Sequence, residues 1–196
     1  MSKESEAPRI ALILAGGAAR RMGGVDKGAI ELGCMRLFDR VIERLSPQVD
    51  RIVVSGTHDY DSGYSVIADL EDGPHGPAAG LWAMLEWLRA HHADDEGFLT
   101  VPIDAPFLPL DLYERLHSAE HSSIACDANG AHPTFAYWRC DALRAALQGA
   151  SNHYGLPLKE LAKSVNARRI RFDTAGEFEN INTPDDLQRA AARLRS

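Results

Sequence analysis

Short apolar runs and amphipathic segments take turns along nearly the whole chain, and few architectures accept that order. Ile10–Leu14, Arg51–Ser55 and residues 64–68 and 98–103 have the length and apolar character of buried strands. Between them, Leu37, Phe38, Val41, Ile42 and Leu45 fall on one helical face, as do Leu81, Met84, Leu85 and Leu88. The second half is less regular. Helices are expected over 109–117 and 140–147, strands over 123–126 and 134–138 joined across Asn129-Gly130, and a further strand over 168–173. Thr183-Pro184-Asp185-Asp186 opens a last helix: threonine caps it, proline suits its first position, and both acids favour the helix dipole. This alternation predicts an α/β fold, a mainly parallel sheet covered by helices on both faces. The 196 residues suit a single domain over 1–196, with residues 1–8 as a flexible tail.

Composition narrows the function classes. Hydrophobic residues make up 45% and charged residues 25%, ordinary for a globular chain. The net charge of −7 argues against nucleic-acid binding, which calls for a basic face. Cys34, Cys126 and Cys140 are far apart and odd in number, so neither a zinc knuckle nor a disulfide framework is indicated. A reducing, cytoplasmic setting is expected. The first residues lack the apolar core of a secretory signal, and no apolar run approaches the length of a membrane span.

Ligands of such sheets bind beyond the carboxyl ends of the strands. There the first strand empties into Leu14-Ala15-Gly16-Gly17-Ala18-Ala19-Arg20-Arg21-Met22-Gly23-Gly24-Val25-Asp26-Lys27-Gly28. Five glycines let bare backbone N–H groups approach a polyphosphate, and Arg20, Arg21 and Lys27 supply positive charge. A P-loop is excluded because Lys27 follows Asp26 and is not followed by Ser or Thr; Gly16-Gly17-Ala18 breaks the dinucleotide fingerprint. Ser55, Asp69 and Asp104 end other strands at the same edge. Asp104 is the candidate metal carboxylate, since Mg²⁺ takes one or two carboxylates together with phosphate oxygens and water.

The run Leu-Ala-Gly-Gly-x-x-x-Arg-Met-Gly-Gly-x-Asp-Lys resembles the signature of nucleotidyltransferases, in particular the molybdenum cofactor guanylyltransferases. The resemblance extends to Gly76-Pro77-Ala78-Ala79-Gly80, to Asp104-Ala105-Pro106, to His132-Pro133-Thr134 and to Asn180-Ile181-Asn182-Thr183-Pro184, so that it spans most of the chain. It implies a Rossmann-like three-layer nucleotidyltransferase fold with a mixed, mostly parallel sheet. It also implies transfer of GMP from GTP to the molybdopterin-bound cofactor, with Mg²⁺ as cofactor and pyrophosphate released.

By this resemblance the catalytic residues are Arg21, Lys27 and Asp104. Leu14, Ala15, Gly16, Gly17, Lys27, Ser55, Asp69 and Asp104 bind the nucleotide, Asp104 holds the metal, and His132, Asn180 and Asn182 bind the acceptor. Asn182 could instead serve the metal or the helix cap. Proteins that deliver or accept the cofactor would be further partners. Ser55 stands where the family often has asparagine, which leaves a CTP-dependent cofactor cytidylyltransferase or a sugar-phosphate nucleotidyltransferase as alternatives. A non-catalytic nucleotide- or cofactor-binding module is the alternative from another class.

Overall fold

A computed structural model describes residues 7–15, 26–71, 73–91, 96–149 and 156–195. Its centre is a seven-stranded sheet in the order β5-β4-β1-β6-β8-β7-β9. The strands are β1 (Ile10–Leu14), β4 (Arg51–Ser55), β5 (Ser65–Ile67), β6 (Gly97–Pro102), β7 (Ser123–Asp127), β8 (Gly130–Arg139) and β9 (Arg168–Arg171). β1 pairs in parallel with both β4 and β6, β4 with β5, and β7 with β9. β8 alone is reversed, antiparallel to β6 and to β7. The reversal follows from the tight β7–β8 connection at Asn129-Gly130, where Gly130 takes a φ of 127°. The sheet is therefore mixed and mostly parallel, as expected.

Strand alternation divides the core in two. Ala11, Ile13, Leu99 and Val101 face one side, where they meet α1 (Leu37–Leu45) and α3 (Leu112–Leu116). Ile10, Leu12, Phe98, Ala136 and Trp138 face the other, under α2 (Pro77–Ala90), α4 (Cys140–Gly149) and α5 (Leu158–Ser164). The central strands are buried on both faces, which is why they read as continuous apolar runs. The last helix, α6 (Pro184–Arg193), packs through Leu187, Ala190 and Ala191 against Leu32, Leu37, Phe107 and Ile181.

The expected elements are present with small shifts at their ends. Among the described residues two short strands, one short helix and two 3-10 turns are additional. β2 (Glu31–Leu32) and β3 (Met35–Arg36) form a small hairpin whose strands are too short to show a period. α5 carries Leu158, Leu161 and Ala162 at helical spacing, a signal confined to two turns. Asn180 and Asn182 lie outside the regular strands. Their segment is tied to the sheet end, the Ile181 N–H donating to the Asp104 carbonyl at 2.8 Å.

Candidate active site

A cleft of about 380 Å³ opens beyond the carboxyl ends of β1, β4 and β6. Leu14, Ala15, Lys27, Ser55, Asp69, Asp104, Asn180 and Asn182 all line it. These residues come from both ends of the chain and are gathered by the sheet order. Gly16, Gly17, Arg20 and Arg21 lie outside the described residues.

Lys27 begins a single 3-10 turn, Lys27–Ala29, capped by Asp26, whose side chain accepts from the Gly28 N–H at 2.9 Å. Asp26 Oδ1 also accepts from the Tyr60 hydroxyl at 2.8 Å. Gly28 is required where it stands: an added Cβ would lie 2.5 Å from both Ile103 Cδ1 and Tyr60 Cε1. The turn is thus set between the end of β6 and the Tyr60 ring. From it the Lys27 ammonium reaches inward and donates to Asp104 Oδ2 and to Asn182 Oδ1, both at 2.6 Å.

Asp104 follows β6 and is only 6% exposed. Its side chain meets Lys27, and its carbonyl holds Ile181, so one residue fixes the ammonium and the segment carrying Asn182. Ile181 is buried, whereas Asn180 and Asn182 on either side of it line the cleft. Asn182 is fixed a second time from α6, where Asp186 Oδ2 accepts its backbone N–H at 3.0 Å.

The opposite wall is the start of α2. Gly76 precedes the helix with a φ of 74°, a conformation glycine adopts without strain. Gly80 lets the helix lie close to the end of β4, since a Cβ there would fall 2.9 Å from Ser55 Oγ. Ser55 is itself buried, so its shortness relative to asparagine matches a tight contact with Gly80. Gly76, Pro77 and Gly80 line the cleft, which brings the positive end of the helix dipole to it. Asp69 stands at the exposed rim. Loss of water around it raises its carboxyl pKa above the ordinary value, and the nearby His75 opposes that shift.

The His132-Pro133-Thr134 segment is a bulge. Ile124 pairs with Ala136 and the next residue, Ala125, pairs with His132, so residues 133–135 of β8 answer a single step of β7. Bulges of this kind re-aim side chains. Thr134 lines the cleft. His132 does not. Its Nε2 lies 2.9 Å from Asp127 Oδ1, and its ring stacks on Phe178 with centroids 4.8 Å apart. Desolvation pushes the Asp127 carboxyl up, but the contacts with His132 and the Asn129 N–H outweigh it and leave it below the ordinary value. Sequence reasoning did not single out Thr134 or Tyr60. The first sits in a quoted motif, and nothing local marks the second.

Among the described residues no group of three or more His, Cys, Asp or Glu side chains could hold a metal ion, and no helix is long and apolar enough to cross a membrane. Asp104 and Asn182 nevertheless direct two hard oxygen atoms at one cation, the Lys27 ammonium. That donor set suits an ion whose remaining ligands are phosphate oxygens and water.

Residues 11–166 match the family model of the MobA-like NTP transferase domain. Molybdenum cofactor guanylyltransferase of Rhodopseudomonas palustris strain BisB5 is 38% identical over 194 residues, covering 92% of this chain and 91% of its own length. The protein of that name from Mesorhizobium japonicum is 38% identical, with 94% and 95% covered. Among solved structures, molybdopterin-guanine dinucleotide biosynthesis protein A from Archaeoglobus fulgidus superposes with a TM-score of 0.67 at 23% identity, covering 95% of this chain and 98% of that one. The 4-diphosphocytidyl-2C-methyl-D-erythritol synthase of Anaerococcus prevotii gives 0.70 at 16% identity, with 97% of each covered. At these identities the two structures speak for the fold.

Proposed function

The chain belongs to the MobA-like NTP transferases, among the molybdenum cofactor guanylyltransferases, and from that premise we propose that it joins GMP from GTP to the molybdopterin-bound cofactor through the cleft at Lys27, Asp104 and Asn182. The observation that carries this reading is the convergence of those three side chains. They come from three distant segments and meet within 2.6 Å contacts at the end of the sheet.

An acceptor phosphate oxygen attacks the α-phosphorus of GTP, forming a new P–O bond. The bond from the α-phosphorus to the bridging oxygen breaks, and its electron pair leaves with pyrophosphate. Negative charge grows on the bridging and leaving oxygens, so positioning and cationic stabilisation carry most of the catalysis. Lys27 is the described ammonium of the phosphate loop within the cleft. Its contact with Asp104 and Asn182 holds it in the cleft before substrate arrives. In this reading Arg21 and the N–H groups of Gly16 and Gly17 bind the phosphates, and the start of α2 adds its dipole to the cleft. Ser55 and Asp69 face the nucleotide from β4 and the rim. Asn180 and Asn182 face the acceptor, while His132 serves that side indirectly, by holding the bulge that presents Thr134. Magnesium, held by Asp104 and assisted by Asn182, would neutralise the phosphate charge.

The test is pyrophosphate release with GTP, CTP and ATP, each with the molybdenum-loaded acceptor and with Mg²⁺ added or chelated. GTP should be preferred, chelation should abolish turnover, and Lys27→Ala should lower kcat about a hundredfold. Preference for CTP would reassign the reaction to cytidylyl transfer. Near-normal turnover of Lys27→Ala at saturating nucleotide would remove Lys27 from the mechanism.

A further inference from the structure

We propose that Tyr60 is a positioning residue for the transfer, acting on Lys27 through Asp26 without touching substrate. The inference rests on the reading of Lys27 as the ammonium that meets the triphosphate.

The Tyr60 hydroxyl and the Gly28 N–H converge on the same atom, Asp26 Oδ1, at 2.8 and 2.9 Å. That oxygen caps the turn on which Lys27 sits. The ring acts on the turn a second time, as the wall that leaves Gly28 no room for a side chain. Hydroxyl and ring together fix the height and the direction of the turn against Ile103.

The tyrosine itself is held hard. It is 7% exposed and stacks on Phe38, with centroids 4.5 Å apart and planes 18° from parallel. Its carbonyl accepts from Arg36 Nη2 at 3.0 Å, and Arg36 is in turn paired with Asp39 at 2.7 Å. Its backbone has a φ of 56°, followed by Asp61 at 54°. Two successive left-handed, non-glycine residues carry a conformational cost, and such residues persist where surrounding contacts over-determine them. Burial first, and the Asp26 carboxylate second, hold the phenol well above the ordinary tyrosine pKa, so it remains a donor. A tyrosine serving the core alone needs only some acceptor for its hydroxyl. This one is bonded to the residue next to Lys27, at the oxygen that shapes the lysine's turn.

Tyr60→Phe keeps the ring, the stack and the wall, and removes one hydrogen bond. The variant should lose about tenfold in kcat while KM for GTP stays within about twofold, because a displaced ammonium costs the transition state more than the bound substrate. In an Asp26→Ala background the same substitution should cost nothing further, since its route to Lys27 is already cut. A readout independent of turnover is reductive methylation of Lys27 followed by mass spectrometry, which should run several-fold faster in Tyr60→Phe. Wild-type kcat with an unchanged methylation rate overturns the proposal, and so does an undiminished effect in Asp26→Ala. If Tyr60→Phe fails to melt cooperatively, Asp26→Asn takes its place. It weakens the same contact from the other side and must give both the kcat loss and the faster methylation. Normal turnover by Lys27→Ala would instead overturn the role given to Lys27, and the methylation rate would still report whether Tyr60 holds the turn.

Discussion

An added Cβ at Gly28 has two ways to be relieved: Ile103 and the Tyr60 ring give way, or the turn carrying Lys27 moves. Ile103 and Tyr60 are both buried and packed, so the turn moves more readily. Gly28→Ala should therefore cost about 1–3 kcal/mol of stability, read as a lower urea midpoint, and should also lower kcat. A variant as stable and as active as the parent would show the site to be softer than its packing implies. The charged members of this group were legible in the sequence because their chemistry is local. Lys27 ends a glycine-rich run, and Asp104 ends an apolar strand before Ala105-Pro106. Tyr60 was not legible, since its importance lies in a contact with Asp26, 34 residues away, and in a backbone conformation that its neighbours do not announce.

The cap of α6 shows an element doing two tasks. Thr183 Oγ1 accepts from the Asp186 N–H at 3.2 Å, and Asp186 Oδ2 accepts from the N–H groups of Thr183 at 2.8 Å and Asn182 at 3.0 Å. The cap that starts the helix thus also orients a cleft residue. Thr183→Ala should cost about 1 kcal/mol, measured by urea unfolding, with a weaker apparent acceptor affinity as Asn182 loosens. The Asn182 N–H, opposed by desolvation and joined by Thr183, holds the Asp186 carboxyl below its ordinary value of 3.8. A depressed carboxyl stabilises the fold above its unfolded-state pKa, and that contribution is lost as pH falls through the lower folded value. Asp186→Asn should then be less stable than the parent at neutral pH, with the gap closing below pH about 4; a constant gap in unfolding titrations would contradict it. The cap was readable from Thr183-Pro184-Asp185-Asp186 because capping is encoded within one turn. The bulge of β8 was not. It depends on how residues 133–135 fit against β7, a matter of pairing and not of local sequence.

At the scale of the molecule, alternation of strand and helix was enough to foresee the parallel sheet and its two covered faces. The Asn129-Gly130 turn was enough to foresee that two strands, β7 and β8, are joined there. The placing of β9 beside β7, at the far edge, was not foreseen, because its Arg-rich pattern resembles a solvated segment. The seam between β6 and β8 joins the two halves of the sheet. There the buried Trp138 Nε1 donates to Thr100 Oγ1 at 3.0 Å, and Thr100 Oγ1 donates to the Ala136 carbonyl at 3.3 Å. Thr100→Val keeps the shape and leaves the indole N–H buried without its acceptor. It should cost about 1–3 kcal/mol in urea unfolding with kcat nearly unchanged. A large loss of kcat without loss of stability would show the seam to be coupled to the chemistry.

The clamp on Lys27 has a consequence for how the protein is made. The lysine is separated by 77 residues from Asp104 and by 155 from Asn182. Synthesis runs from the N-terminus, so Lys27 leaves the ribosome early and its ammonium waits through most of translation for the two oxygens that will hold it. A chain cut short before Asn182 lacks one of the two oxygens that hold the ammonium. The contacts on Lys27 thus cannot be completed until the segment carrying Asn182 has been made.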